Sequence, residues 1–192
     1  MVESGGPAAT EERVLERLAE MLEEGGADSG TAWIGLNPRE RARLAAFRHA
    51  LPESVNAFID RVRRTCPEIT KVGTDMAVPP ESLEEMTGFC HGLLDEAGLK
   101  YVAFGHVGDG HLHFNVLPEK PEELAGAKEL YRRMARRAVE LGGTVSAEHG
   151  IGKLKKEFLE IMYGPEGMEE MRRVRRALDS GGLLGPGTLF DM

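Results

Sequence analysis

The sequence predicts an α+β fold: an antiparallel sheet with helices packed on one face, and further helices at the C-terminal end. Three observations carry this prediction. Amphipathic stretches of helical length alternate with short apolar runs. Two of those runs, Tyr101 to His106 and His111 to Leu117, flank Asp109-Gly110, a strong hairpin signal. A tight turn between neighbouring strands excludes a purely parallel sheet and leaves helices on an antiparallel one.

The elements follow in order. Thr10 is the expected N-cap of a first helix, in which Val14, Leu15, Leu18, Met21 and Leu22 recur at helical spacing until Gly25-Gly26. Residues 25–35 read as a loop, and no function attaches to Trp33. A second helix is expected from about Pro38 to Ala50, with an interruption at Leu51-Pro52. A third carries Val55, Phe58, Ile59 and Val62 and stops at Cys66-Pro67, since the residue before proline disfavours helix. I-T-K-V-G-T-D-M-A-V reads as a strand running into Pro79-Pro80, and Glu81 to Ala97 as a helix closed by Gly98. After the hairpin come a long helix from Pro121 to Leu141, a short strand at Thr144 to Ala147, and helices near Lys153–Met162 and Pro165–Leu178.

Composition narrows the function classes. A chain of 192 residues holds one ordinary domain or at most two small ones. A net charge of -8 argues against nucleic acid or an anionic membrane as partner. No apolar run approaches the roughly 20 residues that span a bilayer. Met1 to Glu12 lacks a basic, apolar signal peptide, so the expected location is cytoplasmic, with any membrane association carried by a partner. Cys66 and Cys90 match neither a disulfide framework nor a common zinc spacing and read as ordinary thiols.

The hairpin carries the chemistry. With Asp109-Gly110 as a two-residue turn, His106 falls opposite His113, with Cβ atoms about 4.5–5.5 Å apart. Alternation then puts His111, His113 and Asn115 on one face with His106, and Leu112, Phe114 and Val116 toward the core. Two imidazoles so placed suit a divalent first-row metal, and Glu148 in S-A-E-H-G-I-G would complete a set that leaves positions open for substrate. His149, beside it, has the chemistry of a general base near neutral pH. Lys153, Lys155 and Lys156 read as a solvated cluster at a helix mouth, and Met162, Met168 and Met171 as core.

G-H-V-G-D-G-H-L-H-F-N and S-A-E-H-G-I-G-K resemble the signature segments of the FAD-linked oxidase C-terminal (cap) domain of the vanillyl-alcohol-oxidase-like flavoproteins. That family includes D-lactate dehydrogenases, the glycolate oxidase flavin subunit and D-2-hydroxyglutarate dehydrogenase. M-V-E-S-G-G, F-R-H-A-L-P-E-S-V-N, K-V-G-T-D-M-A-V-P and L-D-S-G-G-L-L-G-P-G extend the resemblance over the whole chain, in order. The resemblance implies that His106, His113 and Glu148 are metal ligands, with zinc or manganese the expected ion. It implies that His149 takes the substrate hydroxyl proton while hydride leaves for FAD, and that Arg48 and Lys71 hold the carboxylate of a 2-hydroxy acid. Asn115 joins them as a substrate-binding candidate.

The expected unit is a single substrate-and-metal domain over residues 1–192, with Met1-Val2-Glu3 the stub of its first strand. FAD is then held mainly by a separate domain or partner, and this chain alone is expected to be colourless; homo-oligomerisation stays open. Gly185-Pro186-Gly187-Thr188 departs from the family's Asn-Pro-Gly ending, Ser180 replaces a common proline, and His111 stands where asparagine is frequent. Two other readings stay open at this point: a stand-alone protein that binds metal without flavin chemistry, and an inactive remnant of a split gene.

Overall fold

The computed structural model describes residues 8–191. The stub at Met1-Val2-Glu3 lies outside them. The chain divides into two compact units, Met1–Leu51 and Pro52–Met192.

In the first unit, α1 (Ala8–Glu24) already includes Thr10, which is therefore inside the helix and not its cap. Gly26, at φ 75°, ends it. A 3-10 turn at Ser29–Thr31 follows, with the Asp28 carboxylate accepting the Gly30 N–H at 2.9 Å. Trp33 meets Phe47 edge-on at 5.9 Å, and the Arg43 guanidinium stands 5.2 Å above the indole.

Helix α2 (Pro38–Val62) is one helix where two were expected, because it runs through Pro52. Proline removes a single backbone donor. Helical bonds on either side remain, and beyond Pro52 the burial of Val55 and Ile59 holds the helix in place.

The second unit is built on a three-stranded antiparallel sheet in the order β1-β3-β2: β1 (Val72–Gly73), β2 (Tyr101–His106) and β3 (His111–Val116). One face carries Leu112, Phe114 and Val116. They join the main core with α3 (Leu83–Glu96), α4 (Pro121–Glu140) and α5 (Lys156–Leu178), through Leu94, Met134, Ala138, Phe158 and Met168. The opposite face is apolar at one end only, where Val102 and Phe104 pack on Val55, Ile59 and Ile69. The histidines occupy its other end. Strand alternation thus separates a folding face from a chemical one.

The expected strand from Ile69 to Val78 is mostly irregular. After Gly73 its backbone bonds are shared between two partners: Thr74 N–H and Val78 N–H go to the carbonyls of Phe114 and Gly110, whereas Asp75 and Ala77 pair with Ala147 and Thr144. The Thr144 to Ala147 strand is correspondingly reduced to a bridge at Ala77. The two C-terminal helices are present as expected, separated inside α5 by Gly164 at φ 65°, ψ 179°.

The hairpin register differs from expectation. His106 pairs with His111, and Phe104 with His113. Val107–Asp109 form a 3-10 turn, and Gly110 closes it in the left-handed region at φ 63°. The longer loop moves the partner by two residues, so every side chain keeps its face. Gly110 is required there because a Cβ would lie 1.9 Å from the Val78 carbonyl oxygen. Gly110→Ala is expected to destabilise the fold by about 2–5 kcal/mol, combining left-handed strain with overpacking. Chemical denaturation checks this.

At the end of α5 the buried Asp179 carboxylate accepts N–H bonds from Leu183 and Leu184, each at 2.9 Å. The Leu184 and Leu183 bonds hold its pKa below the usual aspartate range, against the opposing effect of burial. A depressed folded pKa means that stabilisation is present above the ordinary aspartate range and is lost as pH falls through the folded value. Amide protection factors at residues 182–184, corrected for the intrinsic exchange rate at each pH, are expected to fall on acidification, and Asp179→Asn to abolish that added pH dependence.

Both cysteines are free, as expected, and burial pushes the Cys90 thiol up to about 12. No helix among the described residues is long and apolar enough to cross a membrane.

Candidate functional site

The site forms where the histidine end of the hairpin meets the loop after α4. Glu148 stands at the centre. Its Oε1 lies 3.3 Å from both His106 Nε2 and His111 Nδ1, and its Oε2 lies 3.5 Å from His113 Nε2 and 4.0 Å from His149 Nε2. Four imidazoles from two segments of chain therefore converge on one carboxylate. Burial favours its neutral form, but His111, His106 and His113 outweigh that and hold the Glu148 pKa below the usual range.

The ring of His113 has a fixed orientation. Its Nδ1 lies 2.7 Å from the Thr74 carbonyl oxygen, which can only accept, so Nδ1 carries a proton. In the neutral ring Nε2 then presents a lone pair toward Glu148. Two acceptors 3.5 Å apart call for a proton or a cation between them. A backbone carbonyl that orders a histidine from behind is the usual support of a ligating imidazole, so the donor set fits a divalent metal. Among the described residues, two triads have potential ligand atoms within 4.8 Å of one another: His113 with Glu148 and His149, and Asp75 with His111 and His113. His106 joins neither, and reaches the cluster through its approach to Glu148.

Asp75 organises the loop and was not identified from the sequence. It is 1% exposed. Its carboxylate accepts from Ser146 Oγ at 2.6 Å, Lys155 Nζ at 2.9 Å, and the backbone N–H groups of Glu148 and His149 at 3.1 Å each. Burial alone would raise its pKa, but the Ser146, Lys155 and backbone hydrogen bonds together lower it to about 2. Asp75 thus fixes the backbone from which both Glu148 and His149 project. Lys155 is correspondingly no part of a solvated cluster: its side chain is 21% exposed and paired with Asp75. Lys156 is paired with Asp191 at 2.7 Å, and Lys153 is exposed. The available signal was an acidic residue inside the apolar alternation of V-G-T-D-M-A-V; the partner, 80 residues away, leaves no local trace.

The other expected site residues are placed differently. Asn115 is buried on the central strand beside Gly73, on the histidine face. Lys71 is exposed and donates to Asn56 Oδ1 at 3.1 Å. Arg48 is exposed on α2 in the first unit. His111 is the least exposed of the cluster histidines, with its side chain 3% exposed. Burial, then His113, push its pKa down, while Glu148 and Asp75 pull it up.

Fold and site together define an α+β domain with a histidine–carboxylate centre on the open end of an antiparallel hairpin. The chain matches the family described as FAD linked oxidases, C-terminal domain, over residues 1–189, and belongs to it. It is 27% identical to glycolate oxidase subunit GlcD of Bacillus subtilis over 192 residues, covering 99% of this chain and 38% of that protein. It is 30% identical over 184 residues to the mitochondrial D-2-hydroxyglutarate dehydrogenase of Bos taurus, covering 94% of this chain and 31% of that protein. With D-lactate dehydrogenase of Anaerostipes hadrus the identity is 29% over 181 residues, covering 93% of this chain and 36% of the relative. The chain thus spans less than two fifths of the length of these relatives.

Proposed function

We propose that residues 1–192 form the substrate-side domain of a flavin-dependent dehydrogenase or oxidase acting on a 2-hydroxy acid of the glycolate, D-lactate or D-2-hydroxyglutarate kind. The observation that carries this is the Glu148 carboxylate, ringed by His106, His111, His113 and His149, in a chain of the FAD-linked oxidase family. His106, His113 and Glu148 would hold a divalent cation, zinc or manganese.

When bound, that cation supplies Lewis acidity toward the substrate's oxygens, and FAD supplies the hydride acceptor. The residues of this chain do the rest. His149 takes the hydroxyl proton at Nε2. Its side chain is 64% exposed, which leaves the nitrogen open to an incoming substrate, and Nε2 lies 4.0 Å from Glu148 Oε2. Lys71 offers a positive charge for the substrate carboxylate, and Asn115 an amide on the histidine face. The same carboxylate role for Arg48 rests on the family resemblance alone.

The partner in this reading is an FAD-binding domain, either elsewhere on a longer chain or on another subunit. Val174, Leu178, Leu183 and Leu184, all exposed, supply apolar surface for such a contact. Nucleic acid has no place in it, and the setting is the cytoplasm.

The test uses the flavin-loaded protein that contains this chain. Glycolate, D-lactate or D-2-hydroxyglutarate added without oxygen is expected to bleach the flavin absorbance. Metal-dependent turnover with no change in the flavin would favour a metal-binding protein without flavin chemistry and refute this reading.

A further inference from the structure

We propose that His111 is a third imidazole ligand, so that the centre takes a divalent transition cation through His106, His111, His113 and Glu148. This rests on the reading of the cluster as a metal site and deepens it.

In the observed register His111 lies directly opposite His106, their rings 6.3 Å apart, and the rings of His111 and His113 are 4.2 Å apart. Its Nδ1 stands 3.3 Å from Glu148 Oε1, the same oxygen and the same distance as His106 Nε2. The far side of the ring is sealed. Nε2 is buried without a hydrogen-bond partner, and faces Asp75 Oδ1 at 3.8 Å.

Asp75 stands behind this ring, 3.8 Å from Nε2. Its charge is already met by Lys155, Ser146 and two backbone N–H groups, so it does not need His111 as a counter-ion. A neutral imidazole with Nε2–H toward Asp75 leaves the Nδ1 lone pair pointing at Glu148. Asp75 Oδ1 stands on the Nε2 side at 3.8 Å, beyond hydrogen-bond distance. His113 has the complementary arrangement, with its proton on Nδ1 toward Thr74 and its lone pair on Nε2. Both rings offer a bare nitrogen to the same carboxylate. Asp75 is not itself a ligand here, since its oxygens already accept four hydrogen bonds.

A third imidazole shifts the preference of the site. Carboxylate- and water-rich sites suit manganese, whereas nitrogen-rich ones favour ions later in the first row. Zinc is therefore expected over manganese. The competing account is a protonated His111 bridging two carboxylates with no metal contact.

Histidine-selective nitrogen NMR on the zinc-loaded wild-type chain separates the two. The expected result is a metal-bound shift at His111 Nδ1 together with His106 and His113; zinc bound with His111 Nδ1 still protonated overturns the proposal. In a second experiment His111→Asn is expected to weaken zinc binding by at least about 10-fold, measured by competition with a chromophoric chelator, and to alter the visible spectrum of the cobalt form. Unchanged affinity and spectrum overturn it. Failure of the wild-type chain to take up either zinc or manganese would sink the metal reading itself, whereas zinc held without His111, or manganese taken up in place of zinc, removes this inference alone.

Discussion

Asp75→Ala is expected to cost about 3–5 kcal/mol of stability, the penalty of breaking a buried charge pair and leaving its partner behind. The substitution strands Lys155, whose side chain is 21% exposed, and leaves the Ser146 hydroxyl and two backbone N–H groups without their acceptor. The larger consequence is functional. Residues 146–149 are held to the sheet by this carboxylate, and Glu148 and His149 project from them. A misplacement of about 1 Å is enough to lower turnover by about 100-fold. Asp75→Asn keeps an acceptor for the backbone but loses the charge that Lys155 needs, so it should fall between alanine and wild type in both stability and turnover. Denaturant unfolding and the rate of flavin reduction by substrate, on the same three proteins, check both halves of the prediction. Wild-type stability in Asp75→Ala would show that the network is not what holds the loop.

His149→Ala separates chemistry from folding. The side chain is 64% exposed and lies outside the buried core. Its removal should leave stability within about 0.5 kcal/mol of wild type. Flavin reduction by a 2-hydroxy acid should slow by about 100- to 10,000-fold, the usual contribution of a positioned general base. Metal affinity should stay close to that of the wild type, because Glu148 and the hairpin histidines remain. Wild-type flavin reduction in this variant would remove His149 from the role of proton acceptor.

These two residues differ in how far they could be read from the sequence, for a physical reason. His149 lies next to Glu148 in a glycine-rich segment, and His106, His111 and His113 share a strand period, so local spacing already brings them together. Both hairpin strands, the glycine-closed helix before them and the long helix from Pro121 follow from equally local rules. Asp75 and Lys155 meet only through the tertiary fold, and neither has a neighbour in sequence that marks it. The hairpin register differs from the local expectation because Asp-Gly favours a two-residue turn only in isolation. Here Gly110 hydrogen-bonds to Val78 of a distant segment, and the loop takes Val107 and Gly108 as well. Pro52 is a similar case: its local effect is to break a helix, yet helical bonds on both sides and the burial of Val55 and Ile59 carry the helix through. The strand after Lys71 is shorter than its apolar alternation suggests, because two partners divide its backbone bonds.

The central claim is that the histidine–glutamate cluster is a cation centre. Zinc titration of the 192-residue chain against a chromophoric chelator tests it most directly. The account predicts one zinc per chain, lost in Glu148→Ala and in His113→Ala while both variants stay folded. A wild-type chain that takes up no zinc or manganese, or that binds either ion equally well without Glu148, would contradict it.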